Sequence, residues 1–188
     1  MTMLSYSQLM ASLANFATEI QALIDELGLQ LLTEADHIAL RVNSNETAEA
    51  LSQAFAEQGT VISNNIINGR PILIIALNTP IQLGAFEIAC VELPFPSKPY
   101  PQEGWEHIEL VLPQAAQNCE QLTAQLLQLS PKLHNVFADQ TEIKFKASSP
   151  SSAAERLANP TIAFKKGDVC IKVHPHRIET IIASEQQG

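Results

Sequence analysis

A seven-residue pattern occurs twice in this chain and constrains its fold more than any other feature. Residues 36–42 and 106–112 both follow the order acid, His, Ile, any residue, Leu, any residue, aliphatic. In each segment the large aliphatic residues alternate with the histidine and its neighbours, which is the period of a β-strand. His37 and His107 therefore occupy equivalent positions in two predicted strands, 70 residues apart in the chain.

The same order of elements follows both histidine-bearing strands. After residue 42, a capping-box spacing at Asn43 and Glu46 predicts a helix that Gly59 ends, and strands are predicted at 61–67, 71–77 and 85–93. After residue 112, a helix with one apolar face from Ala115 to Leu129 precedes predicted strands at 142–147, 161–164 and 168–174. Asn68-Gly69 and Lys165–Gly167 are the predicted hairpin turns. Each half thus has the order β-α-β-β-β, which indicates an internal duplication.

Two segments lie outside the repeated halves. An apolar stripe from Tyr6 to Leu27 predicts an amphipathic N-terminal helix, capped by Ser5 or Ser7 at its start and by Gly28 at its end. Residues 93–101 contain four prolines and form a connector, because proline interrupts helices and central strands. We expect an α+β fold with an N-terminal helical extension (1–33), a first βαβββ module (34–96), a connector (97–103) and a second module (104–188).

Composition narrows the functional classes. The chain has 188 residues, 46% of them hydrophobic, and a net charge of −9, which argues against nucleic-acid binding. The first 94 residues hold ten acidic and two basic residues, so this half is the less favourable place for an anionic ligand. Three scattered cysteines, no signal-peptide pattern and no long apolar stretch predict a cytoplasmic protein without a membrane partner. The apolar N-terminal helix is compatible with a homodimer.

The duplicated strands suggest a metal site. If the halves pack about a pseudo-twofold axis, His37 and His107 converge on one point. Glu92 and His174 end the last strand of each half, each directly or nearly followed by a proline, and complete a set of three histidines and one carboxylate. Imidazole and carboxylate ligands suit Zn, Fe, Ni or Mn. His176 is a rival to His174.

The sequence resembles the vicinal oxygen chelate superfamily, which includes glyoxalases, bleomycin-resistance proteins and extradiol dioxygenases, and more closely its YecM-like family. Gly-Trp-Glu-His-Ile-Glu at 104–109 is the most specific match. The other matching stretches are 36–41, 67–72, 91–96, 159–161 and 172–175. The resemblance implies a cupped mixed sheet around one divalent metal, held by His37, Glu92, His107 and His174. Glyoxalase-like members mostly have a carboxylate where this chain has His174, which puts glyoxalase chemistry in doubt.

Other residues are candidates for roles around the metal. Glu109 shares a strand face with His107 and is either a general base or a carboxylate that orients a histidine or pairs with a cation. Lys172 and, more weakly, Arg70 are candidates for binding an anionic substrate. Trp105 is a candidate for the pocket wall or the core.

Three functions are compatible with these residues. The first is a metal-dependent isomerase, epimerase or lyase acting on a small oxygenated metabolite. The second is a non-catalytic module of the same fold that sequesters a small molecule. The third is a non-haem iron oxygenase with a jelly-roll fold, because His107, Glu109 and His174 have the order of a two-histidine, one-carboxylate site.

Overall fold

A computed structural model describes residues 3–67, 69–149 and 157–186. The chain divides into two units, one formed by Met1–Thr18 and His37–His107 and the other by Glu19–Asp36 and Ile108–Gly188. Both units contain helices and strands, so the predicted α+β class is confirmed. The jelly-roll alternative is wrong, because helices lie between the strands in both halves of the chain. A jelly roll is built from two sheets of strands.

The first unit holds most elements of the first half of the chain. Its elements are α1 (Tyr6–Ala11), the start of α2 (Leu13–Leu27), most of β1 (Ala35–Arg41), α3 (Asn45–Ala56), β2 (Gly59–Ile67), β3 (Arg70–Leu83), β4 (Phe86–Pro94) and the start of β5 (Gly104–Val111). The strand order is β2-β3-β4-β1, with β5 beside β1. β4 pairs antiparallel with β3 and parallel with β1. The order β-α-β-β-β is therefore the one predicted.

The second unit repeats this order with two additions. Its elements after β5 are α4 (Cys119–Leu129), α5 (Leu133–Phe137), β6 (Lys144–Ser148), β7 (Thr161–Lys166), β8 (Val169–His174) and α6 (Ile178–Glu185). β6, β7 and β8 form an antiparallel array, with β5 beside β8. The short helices α5 and α6 were not predicted.

Local capping explains where several elements differ from prediction. The N-terminal helix is divided at Ser12, whose hydroxyl donates to the Leu9 carbonyl at 2.7 Å and so competes with the helical backbone. Ala115 lies before α4 and has a positive φ of 50°. The helix begins only at Cys119, because the Asn118 side chain caps it by accepting from the Gln121 amide. β3 continues to Leu83. Asn68 of the predicted turn lies outside the described residues.

The packing of β1 in the first unit determines which of its side chains can form a functional site. Ile38 and Leu40 of β1 are fully buried, and so is Phe55 of α3. Because side chains alternate along a strand, His37 and Arg41 lie on the opposite face of β1 from these aliphatic residues. No helix among the described residues is long and apolar enough to span a membrane.

Candidate metal centre

The pairing of β1 with β4 places Glu92 between two basic side chains. Ala39 is the register partner of Glu92, and His37 and Arg41 lie two residues before and after Ala39. Glu92 Oε2 lies 3.6 Å from His37 Nε2, and Glu92 Oε1 lies 3.8 Å from Arg41 Nη1. The Glu92 side chain is 15% exposed and that of His37 is 1% exposed. One largely buried carboxylate thus contacts both a histidine and an arginine.

β5 brings a second histidine and carboxylate to the same arginine. The Glu106 carboxylate contacts His107 Nδ1, and Glu106 Oε2 lies 3.3 Å from Arg41 Nη2. The His107 side chain is fully buried. The rings of His37 and His107 lie 6.2 Å apart, nearly perpendicular to one another. Arg41 therefore links the two histidine–carboxylate pairs of the first unit.

Three side chains of the first unit have the donors of a divalent-metal site. His37, Glu92 and His107 each offer one ligand atom, and these atoms all lie within 4.8 Å of one another. Donors around one Zn²⁺ lie roughly 3–4 Å apart, because each metal–ligand distance is about 2.0–2.2 Å. Two buried imidazoles and a carboxylate suit borderline metals such as Zn, Fe, Ni or Mn. The residues fit such a metal with small movements of their side chains.

The second unit holds His174 in a separate set of contacts. His174 Nε2 lies 3.0 Å from Asp36 Oδ1, and Nδ1 lies 3.4 Å from Glu109 Oε2. The Asn159 amide is 3.4 Å from the same Nδ1. Asp36 Oδ2 also accepts a hydrogen bond from the backbone amide of Ile178 at the start of α6. Both ring nitrogens of His174 thus face polar side chains, and its role as a fourth ligand stays a prediction.

Glu109 and Lys172, two predicted site residues, are neighbours in the second unit. Lys172 Nζ lies 3.2 Å from Glu109 Oε1, with side chains 25% and 10% exposed. The ammonium stabilises the negative charge of the carboxylate in this largely buried position. The roles of Glu109 as a base and of Lys172 as an anion-binding group stay predictions.

Arg70 begins β3 and contacts the proline-rich connector. Its Nη1 donates to the Tyr100 hydroxyl at 2.5 Å. The Tyr100 backbone amide donates to Asn43 Oδ1 at 2.5 Å, and Asn43 Nδ2 donates to the Tyr100 carbonyl at 3.0 Å. The Arg41 guanidinium lies over the Tyr100 ring, 5.5 Å from its centroid. Tyr100 is thereby fixed between the two arginines.

Trp105 belongs to the core rather than to the candidate site. It is 7% exposed, and its indole N–H donates to the Leu9 carbonyl at 2.9 Å. Its ring packs edge-on against Phe55 at 6.4 Å. Cys90 and Cys170 are buried thiols, as expected for small apolar side chains.

Sequence reasoning missed the side chains that connect the predicted ones. The acidic position of the repeat, Asp36 in one copy and Glu106 in the other, contacts a histidine in both units. This signal was visible, because an acid precedes each repeated histidine. Arg41 could also have been predicted from the sequence as a site residue, since it shares a strand face with His37. Tyr100 lies in a connector without a periodic pattern, so nothing in the sequence pointed to it.

The comparisons with known proteins agree with this architecture. Residues 5–185 match the family described as YecM protein. The chain is 43% identical over 180 residues to Protein YecM of Escherichia coli (strain K12), covering 95% of this chain and 93% of that protein. It is 38% identical over 178 residues to an uncharacterized protein of Haemophilus influenzae, covering 91% and 90% of the two chains.

A solved structure extends the agreement to the fold. The structure titled "Structural Genomics, Protein EC4020" has 39% sequence identity and a TM-score of 0.81, and the alignment covers 99% of both chains. Sequence and fold agree over nearly the whole length, and the chain belongs to the YecM family.

Proposed function

We propose that the protein binds one divalent metal ion through His37, Glu92 and His107 and acts as a member of the vicinal oxygen chelate superfamily. The convergence of these three ligand atoms within 4.8 Å of one another carries the proposal. The duplicated β-α-β-β-β order supports the superfamily, because its members place metal ligands on the first and last strands of each module. His37 and His107 lie on first strands and Glu92 on a last strand.

Three protein ligands leave coordination positions for a substrate and water. When bound, the metal supplies a Lewis acid that stabilises negative charge developing on a substrate oxygen. Glu109 lies two residues beyond His107 on the same face of β5, and we propose it as the group that accepts the substrate proton. Lys172 Nζ lies 3.2 Å from Glu109 Oε1 and helps to hold the carboxylate in place.

This arrangement suits isomerisation, epimerisation or lyase chemistry on a small metabolite with two neighbouring oxygen atoms. Such reactions begin with removal of a proton next to a carbonyl group, and a metal held by these residues would stabilise the negative charge that develops. The homodimer that the sequence suggested also stays a proposal.

A metal-independent binding module is the second candidate function. Its support is that His37 and His107 each contact a carboxylate, and that Arg41 contacts both carboxylates. In this network both carboxylates have a guanidinium and an imidazole as partners without any metal ion. In that case the same side chains line a pocket for a sequestered molecule.

Metal content distinguishes the two functions. Untagged protein is reconstituted separately with Zn, Ni, Mn and Fe, dialysed and measured by mass spectrometry. One retained metal ion per chain supports the metal site. Exchange of an α-proton of oxo acids and thioesters in D₂O, dependent on that metal, then supports the proposed reaction class. Failure to retain any of the four ions favours the binding module.

A further inference from the structure

The basic residues of the first half of the chain are concentrated around one tyrosine. Arg41 and Arg70 are the only arginines among the first 94 residues, which contain no lysine. One lies over the Tyr100 ring at 5.5 Å, and the other donates to its hydroxyl at 2.5 Å. The negative net charge of this half does not reveal the positive charge around Tyr100. The local electrostatic potential depends on where the charges lie and not only on their sum.

The two arginines differ in their carboxylate partners. Arg41 Nη1 lies 3.8 Å from Glu92, and Arg41 Nη2 lies 3.3 Å from Glu106. Among the described residues, no carboxylate oxygen lies within 4.0 Å of the Arg70 guanidinium, whose side-chain partner is the neutral phenol of Tyr100. Arg70 is therefore a half-buried cation without a compensating acid in a chain that has an excess of acids.

Strand register places Arg70 on the same face as a proposed metal ligand. Arg70, Ile72 and Ile74 alternate along β3, and Ile74 is the register partner of Glu92. Four residues of a strand span roughly 13 Å, so Arg70 lies at the far end of the face from Glu92. Ile72 and Ile74 on this face are 8% and 5% exposed, so their side chains are largely covered. A ligand that reached both ends would be elongated, with a polar group at each end.

We propose that Arg70, held in place by Tyr100, binds the distal carboxylate of the substrate. This inference rests on the proposed metal site and names the substrate class as an elongated dicarboxylic acid with an oxo or hydroxy group at its other end. A guanidinium binds a carboxylate through two parallel hydrogen bonds. A single uncompensated charge matches a carboxylate better than a dianionic phosphate, since Arg41 is already neutralised by two acids.

Chain length and terminal charge can be varied separately to test this inference. Metal-loaded protein is titrated calorimetrically with 2-oxo diacids from 2-oxoglutarate to 2-oxosuberate, each compared with the 2-oxo monoacid of the same length. We expect one diacid to bind at least about tenfold more tightly than its monoacid, because hydrogen bonds to charged groups are strong. Arg70→Gln should abolish this preference, Arg70→Lys should restore part of it, and Tyr100→Phe should reduce it.

Lys98→Gln is the matched control, because it removes one positive charge from an exposed position of the same connector. It should keep the wild-type preference. Circular dichroism and retained metal show that each variant is folded and that the metal site survives. Equal binding of diacids and monoacids by the wild type, or an unchanged preference in Arg70→Gln, would overturn the inference while leaving the metal site intact.

Wild-type protein that retains no metal overturns the proposed metal site separately. The anion contact is then tested on metal-free protein by following backbone amide shifts during titration with hexanoate. Arg70→Gln should weaken this binding and Lys98→Gln should not. Equal hexanoate binding by the wild type and Arg70→Gln would end the inference in that case also.

Discussion

Glu92 Oε2 lies 3.6 Å from Nε2 of His37, on a strand that runs parallel to that of the histidine. The other oxygen of Glu92 contacts Arg41 at 3.8 Å. The carboxylate therefore couples the histidine to the arginine on one face of the sheet of the first unit. Side-chain contacts thus run from His37, a proposed metal ligand, through Glu92, Arg41 and Tyr100 to Arg70, the proposed substrate-binding arginine.

The first prediction concerns the metal ligands. His37→Ala and His107→Ala should each reduce the retained metal from one ion per chain to near zero, since each removes a buried imidazole from a set of three donors. Mass spectrometry of the reconstituted proteins measures this directly. His134→Ala is the control, because His134 is exposed on α5 and should have no effect. Unchanged metal in both test variants would contradict the assignment.

The second prediction concerns the buried acid of the second unit. Asp36→Asn should lower the free energy of unfolding by about 1–3 kcal/mol, because a charged partner of His174 is lost and the group is buried. Urea denaturation measures the change. Asp139→Asn should change the same free energy by less than about 0.5 kcal/mol, because its ion pair with Lys144 is exposed. Equal effects at both positions would show that the His174 contact contributes little.

The third prediction compares two glycines. At Gly59 a side chain would clash with the backbone, whereas at Gly84 the backbone has a positive φ. A Cβ on Gly59 would lie 2.1 Å from the Ala76 carbonyl oxygen, a backbone atom that cannot move alone. Gly59→Ala should therefore cost about 3 kcal/mol of unfolding free energy. Gly84 has a φ of +59° and nothing within 4 Å of its added Cβ, so Gly84→Ala should cost only about 1 kcal/mol. Thermal denaturation compares the two, and a larger cost at Gly84 would contradict the clash.

The fourth prediction is a pH dependence. A hydrogen bond from Lys166 to Glu26, with Nζ 2.6 Å from Oε2, raises the pKa of Lys166 above its ordinary value of 10.5. The stabilisation is complete below the unfolded pKa and is lost as the pH rises through the folded pKa, because the deprotonated amine no longer attracts the carboxylate. NMR titration of the Lys166 side chain should show the raised pKa, and Glu26→Gln should lower it. An unshifted titration in the wild type would refute this contact in solution.

The sequence predicted much of the architecture because periodicity reports which face of an element is buried. The alternation in 36–42 and 106–112 located β1 and β5, and turn residues located the β7–β8 hairpin, where Gly167 has a φ of +57°. The ends of the helices were harder to predict from the sequence. The Ser12 hydroxyl and the Asn118 cap determine them through single hydrogen bonds, which leave no trace in an apolar pattern.

The sequence by itself determined the repeated β-α-β-β-β order and the α+β class, because these follow from local period and the order of elements. It predicted the convergence of His37 with His107 only on the condition that the two halves pack about a pseudo-twofold axis. Only the tertiary structure decided which acids contact which bases. Strand register aligns Glu92 with the residue between His37 and Arg41, and the path of the connector places Tyr100 against Arg41 and Arg70. Register and loop path depend on the packing of segments that are distant in sequence, so no local pattern records them.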